Sequence, residues 1–327
     1  MPPTLLDAIR DRLTVDVDSM DPDVAARHSQ AGLIFRDMTS NQAIVYSEAV
    51  KVERIAILRQ ACDGAKATGL ELDVEHQNVL LALEVYPYIT GRLLVQTSPS
   101  KAYDTEGTIA HAKRLVALFE SKGVPKFVRN VVIDTLVTDR LMIPATPESI
   151  LACQYLEKIG IRTLATCLFN LPQALAASQA KCTYVAPYFN ELRVHFEPGI
   201  WKAYENTAKD HPAGPVIKSI VEAFKARSSQ TLVIALASLS PDHLTLSGSV
   251  LDQLAAAPAT EIKVLPIKTT EEVPDNDPDY LTNGAAAFKE ALAADEEASR
   301  KLADALKIFG EMEQRTRDLI KVELGSV

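Results

Sequence analysis

The chain of 327 residues has no basic cluster, no paired cysteines, no long apolar run and no glycine-rich turn after a strand. Each absence closes off a class of function. The net charge is −9, and the densest positive stretch, between 26 and 38, is sparse and interleaved with acids. A nucleic-acid or phosphoinositide surface needs the opposite balance. Cys62, Cys153, Cys167 and Cys182 show neither CxxC nor paired spacing, so they read as reduced, buried thiols. The histidines are scattered without ligand spacing, so no metal is expected. The opening "MPPTLLDAIRDRL" reads as an amphipathic helix, not a secretory signal, and nothing is apolar enough to span a bilayer. A cytoplasmic protein without a membrane partner is expected.

What remains is ample material for a core: 47% hydrophobic and 24% charged residues. Short apolar strand candidates recur at Leu13–Asp18, Leu33–Thr39, Leu93–Ser98, Arg140–Pro144, Leu164–Phe169, Thr183–Phe189, Thr231–Ala235 and His243–Ser247. Stretches of helical period separate them. In "TIAHAKRLVALFESKG", Ile109, Ala112, Val116 and Phe119 share a face and Gly123 closes the helix. In "RLMIPATPESI", Thr146 is a helix N-cap and Pro147 takes the first helical position. Eight strands alternating with helices predict a single (β/α)8 TIM barrel of class α/β. An open doubly wound sheet would want a glycine-rich phosphate turn, which is missing. One passage is irregular: only "SPD" separates "TLVIALASL" from "HLTL", too short for a covering helix. Either that helix is missing or the seventh strand lies elsewhere. The barrel is assigned to 1–265. A polar connection and C-terminal helices, with Leu302, Leu306 and Phe309 on one face, fill 266–327 and pack on the barrel or a dimer partner.

Strand ends of a parallel barrel converge on one mouth, so chemistry is sought there. Five segments together resemble the transaldolase family over nearly the whole chain. They are "VDVDSMD" (15–21), "DMTSNQAIVYSEA" (37–49), "YDTEGTIAHAKRL" (103–115), "IPATPESILACQYLEKIGI" (143–161) and "TLATCLFNLPQALAASQAKCTYVAPYF" (163–189). The resemblance implies a barrel, often homodimeric, that joins a strand lysine to a ketose phosphate as a Schiff base. No cofactor is implied.

Residue by residue, the resemblance breaks at the chemistry. The Schiff-base lysine falls on Met142, the third-strand glutamate on Ser98 and the sixth-strand serine on Ala186. One phosphate arginine falls near Asn190 or Glu191. The other falls near Leu239 or Ser240, or in another alignment on Arg227. Asp18, the family's acid/base, survives with Asn41, a hydroxyl binder, and Thr166, which orients a catalytic water. A thioether has no proton to lose and cannot form an imine. No strand candidate contains a lysine; Lys101, Lys126 and Lys263 fall in loops or flanking segments.

Asp18 is therefore the candidate acid/base, with Met142 and Ser98 as further catalytic positions. Asn41, Thr166, Ala186, Tyr188 and Arg193 are candidate substrate contacts, and His195 could titrate near neutrality. Each has a plainer reading: Asp18 as the cap of the "SMDPDVAA" helix, Asn41 as a cap, Thr166 and Tyr188 as barrel wall, His195 as an exposed loop residue. Asp16 shares Asp18's face by alternation, or one of the two faces solvent. If both point inward, one pKa should rise. The expected function is a transaldolase-like enzyme diverged to lysine-independent acid/base chemistry on a small, non-phosphorylated carbonyl compound, in specialised metabolism. A non-catalytic binding or regulatory barrel is the alternative, and a conventional transaldolase the third reading.

Overall fold

The computed structural model describes residues 3–29, 34–68, 74–124, 138–197, 199–205, 207–235, 241–259 and 277–325. Its strands are β1 (Thr14–Asp18), β2 (Met38–Thr39), β3 (Arg92–Gln96), β4 (Thr138–Pro144), β5 (Thr163–Leu168), β6 (Tyr184–Pro187), β7 (Leu232–Val233) and β8 (His243–Ser247). All pair in parallel in the order β7-β6-β5-β4-β3-β2-β1-β8. Among the described residues a single parallel bridge, Ile234 to His243, joins the two ends and nearly closes the barrel. All eight expected strands are present, several shorter than expected. Leu33, the start of the second candidate, lies outside the described residues.

The helices are α1 (Leu5–Arg10), α2 (Pro22–His28), α3 (Gln42–Ala49), α4 (Ile55–Thr68), α5 (Val74–Val85), α6 (Thr105–Ser121), α7 (Pro147–Lys158), α8 (Leu171–Gln179), α9 (Thr207–Asp210), α10 (Ala213–Ala226), α11 (Gly248–Ala256), α12 (Thr282–Ala294) and α13 (Glu296–Gly325). Their ends follow the sequence chemistry. Thr146 Oγ1 accepts from the Ser149 amide at the start of α7, and Pro147 occupies the first turn. Asp21, not Asp18, caps α2. Gly123, past the end of α6, takes a positive φ that a side chain would strain.

Alternation sets the layers. In β1, Val15 and Val17 face the helices and join the main core between sheet and helices, while Asp16 and Asp18 face the barrel axis. Inside the barrel, Leu94, Met142, Leu164, Tyr184 and Ile234 form a small core of their own. Beneath it lies a charged floor. Asp16 accepts from the Asp37 amide at 2.9 Å and pairs with His243 at 3.0 Å, and Arg92 bonds both Asp37 and the Tyr184 hydroxyl. Asp16, Asp37 and His243 could bring ligand atoms within 4.8 Å of one another. Here, though, a basic partner already faces each carboxylate.

Helix α13, about 45 Å long at 1.5 Å per residue, packs on α3, α4 and the 3₁₀ turns Pro99–Lys101 and Leu192–His195. Its buried face includes Leu302, Leu306, Phe309, Met312 and Ile320, the expected stripe. Between β7 and β8 no helix occurs among the described residues. The seventh strand is where the sequence put it, and the nine residues 234–242 that follow it are fewer than a crossover with a helix needs. Among the described residues no helix is long and apolar enough to cross a membrane.

Candidate active site

The strand ends open into an inner cavity of about 380 Å³, lined by Asp18, Asn41, Met142, Thr166, Ala186 and Tyr188 among others. Residues scattered between 18 and 188 thus meet at one mouth. An outer vestibule of about 890 Å³ shares Asp18, Asn41, His195 and Ser247 with it and is walled by α3, the Leu192–His195 turn and α13.

Asp18 closes β1 and sits half-buried at the junction of the two cavities. Thr39 Oγ1 donates to its Oδ1 at 2.7 Å, and the Thr245 hydroxyl lies 2.7 Å from Thr39 Oγ1. The two form a hydroxyl chain ending on the carboxylate. Burial pushes the Asp18 carboxyl up to about 6, against the opposing pull of the Thr39 bond. Asp16 is raised too, chiefly by its complete burial, with the His243 pair pulling it down. Both aspartates face inward, but burial and not mutual repulsion is what raises Asp18.

Across the mouth, Thr166 Oγ1 donates to the Tyr188 hydroxyl at 3.3 Å. Burial holds the Tyr188 phenol well above its ordinary pKa, and the charges of Cys167 and Asp18 push the same way. The phenol therefore keeps its proton and can donate it to a ligand. Cys167 has φ +53 at an irregular register between β5 and β6, a strained backbone beside the site. Its thiol, pushed up to about 12 by burial, is not a nucleophile. Asn41 takes its plainer reading, with Oδ1 capping α3 through the Ala43 and Ile44 amides, and the residue also lines both cavities. Its amide nitrogen remains available to a ligand.

Two expected residues fall elsewhere. Ser98 lies past the end of β3, outside both cavities; its hydroxyl donates to Glu313 of α13 at 2.7 Å and its amide to His111. The inward residue facing Met142 across β3 and β4 is Gln96, whose Oε1 accepts from the Gln42 amide. Strict alternation from Arg92 through Leu94 would have found it. Arg193 faces only the outer vestibule, where it forms a two-point pair with Glu197, both bonds at 2.7 Å. Arg227 pairs with Asp277 at the opposite end of the barrel, beside Arg92 and Arg162. Leu239, Ser240, Lys126 and Lys263 lie outside the described residues, and Lys101 sits in the Pro99–Lys101 turn. Thr39, Thr245 and Ser247 had no assigned role in the sequence, although their alternation with outward residues marks them as inward-facing.

Residues 14–320 match the family model described as Transaldolase/Fructose-6-phosphate aldolase. A protein named "Transaldolase" from Protochlamydia amoebophila (strain UWE25) is 25% identical, covering 97% of this chain and 97% of its own length. One of the same name from Marinomonas sp. (strain MWYL1) is 25% identical over 88% of this chain and 90% of its own. Another from Methylibium petroleiphilum (strain ATCC BAA-1232 / LMG 22953 / PM1) is 26% identical over 84% and 86%. With a family match that runs from the first barrel strand into the last helix, the chain belongs to the transaldolase/fructose-6-phosphate aldolase family.

Proposed function

We propose that this transaldolase-family enzyme works without a lysine imine, moving protons through Asp18 on a small, non-phosphorylated carbonyl compound. The observation that carries this reading is Met142 in the inner cavity, with neither lysine nor arginine among the described residues lining it. Imine chemistry needs an amine at the mouth, and a phosphate wants a guanidinium or ammonium. Among the described residues of the inner cavity neither demand has a group to meet it; Arg193, Lys307 and Arg315 line only the outer vestibule.

Asp18, with its carboxyl near 6, is mostly ionised at neutral pH yet close enough to it to act in both directions. As a base it removes a proton from a substrate hydroxyl or from carbon next to the carbonyl. The Tyr188 phenol and the Asn41 amide nitrogen can donate to the carbonyl oxygen, where negative charge gathers. That set suits C–C bond formation or cleavage, cyclisation or dehydration. The family resemblance also carries the expectation of a homodimer, which light scattering checks.

The test is borohydride reduction during incubation with ketose phosphates, followed by intact-protein mass spectrometry. An unchanged mass is expected. A reduced adduct on any lysine would sink the lysine-independent reading and favour ordinary transaldolase chemistry. Full turnover in Asp18→Asn would remove Asp18 from the mechanism. Failure of every carbonyl compound in a broad panel to react would favour a non-catalytic barrel.

A further inference from the structure

The short connection between β7 and β8 has a consequence at the cavity. Nine residues, 234 to 242, carry the chain from Val233 to His243. A parallel crossover that includes a helix needs at least about 10–12. Among the described residues the two strands meet only around the Ile234–His243 bridge, supported by the Ala235 amide on His243 O at 3.0 Å and the Asp242 amide on Val233 O at 2.9 Å. Above that bridge, Leu244–Ser247 pair with β1 alone among the described residues.

The inner cavity reaches the seam around this bridge. His243 and Thr245 face the axis, so Leu244 and Leu246 face outward, yet both line the cavity that also holds Asp18 and Met142. Ile217 of α10 and Val250 of α11 line the same cavity. These four carry no polar side-chain atom. Val250, 38% exposed, stands at the rim. A polar head at Asp18, Asn41 and Tyr188 would thus share one cavity with an apolar arm of Ile217, Leu244, Leu246 and Val250.

We propose that this arm takes an alkyl chain, making the substrate a carbonyl compound with a hydrophobic tail. The proposal rests on the lysine-independent reading for its head group, and the arm itself on the seam. A sugar phosphate would leave the arm unfilled, whereas a chain of several methylenes would leave water for contact with Ile217, Leu244 and Leu246.

The experiment is a ligand-observed NMR titration of the full chain with 2-alkanones, from 2-butanone to 2-octanone. Affinity should rise about fourfold per methylene. The rise should disappear in Val250→Trp, which fills the rim, and in Val250→Asp, which places a charge there. Because the position is exposed, neither change threatens folding. A flat series, no binding, or an undiminished rise in both variants overturns the proposal. Asp18→Asn should keep the rise while losing turnover. If it keeps turnover as well, the acid/base reading fails and the arm stands.

Discussion

Replacing Asp18 by Asn should make the protein more stable and less active at once, and the stability gain should depend on pH. Burial raises the Asp18 carboxyl from an ordinary 3.8 to about 6. A group that holds its proton more tightly when folded favours the fold below its unfolded value, and that contribution is lost as pH rises through about 6. Above that range the buried charge is a burden. The full gap corresponds to about 3 kcal/mol, and solvent reaching the half-buried carboxylate reduces it to about 1–2 kcal/mol. Asn has the same shape, its carbonyl can accept the Thr39 hydroxyl, and it never ionises. Unfolding entropy of about 2.1 cal/mol/K per residue over 327 residues turns this into a Tm gain of about 1.5–3 °C at pH 8. At pH 4 the gain should vanish. Scanning calorimetry at both values decides it, with turnover at pH 8 expected to fall about 10²–10⁴-fold. An equal Tm change at both pH values, or a loss at pH 8, would refute the assignment of a strained, burial-raised carboxylate.

Other perturbations follow the same physics. The wild-type pH profile of kcat/KM should lose activity on the acid side through about 6, as Asp18 takes up its proton. His243→Ala strands Asp16 in the floor without its partner and should cost about 3–5 kcal/mol at pH 8 by urea denaturation, and less at pH 5, where Asp16 is protonated. Ser98→Ala removes the hydroxyl that donates to Glu313 and should cost about 1–2 kcal/mol while leaving kcat within twofold. A large kcat loss would return Ser98 to the catalytic set. Met142→Lys places an ammonium in the apolar interior and should lower Tm at pH 7, with the loss shrinking as pH approaches about 10.4 and the unfolded amine also becomes neutral.

The barrel was legible because its strands carry two independent signals, apolar runs and the capped helices between them. Asp18, Asn41 and Tyr188 were legible as strand-end residues in segments that resemble one family. Ser98 was misplaced because a strand end read from apolar content can slip. Alternation from Arg92 and Leu94 puts Gln96 on the axis, two residues earlier, and a slip of two keeps the same parity. The floor of Asp16, Asp37 and His243 could not be read, since positions 16, 37 and 243 have no local spacing and meet only when β8 closes on β1 and β7. The outer vestibule was hidden for a related reason. The amphipathic pattern of α13 says that it packs, not that it packs over the mouth.

That placement gives α13 an evolutionary freedom the strands lack. Lys307, Glu311 and Arg315 face the vestibule from the exposed side of α13, while Leu302, Phe309 and Ile320 anchor its other side in the core. Mutations on the outward positions can change what enters the mouth without disturbing a barrel layer or the proton chain at Asp18. A fold whose strand chemistry is fixed by packing thus carries, on one long helix, a surface on which new substrate preferences can be tried at little risk to folding.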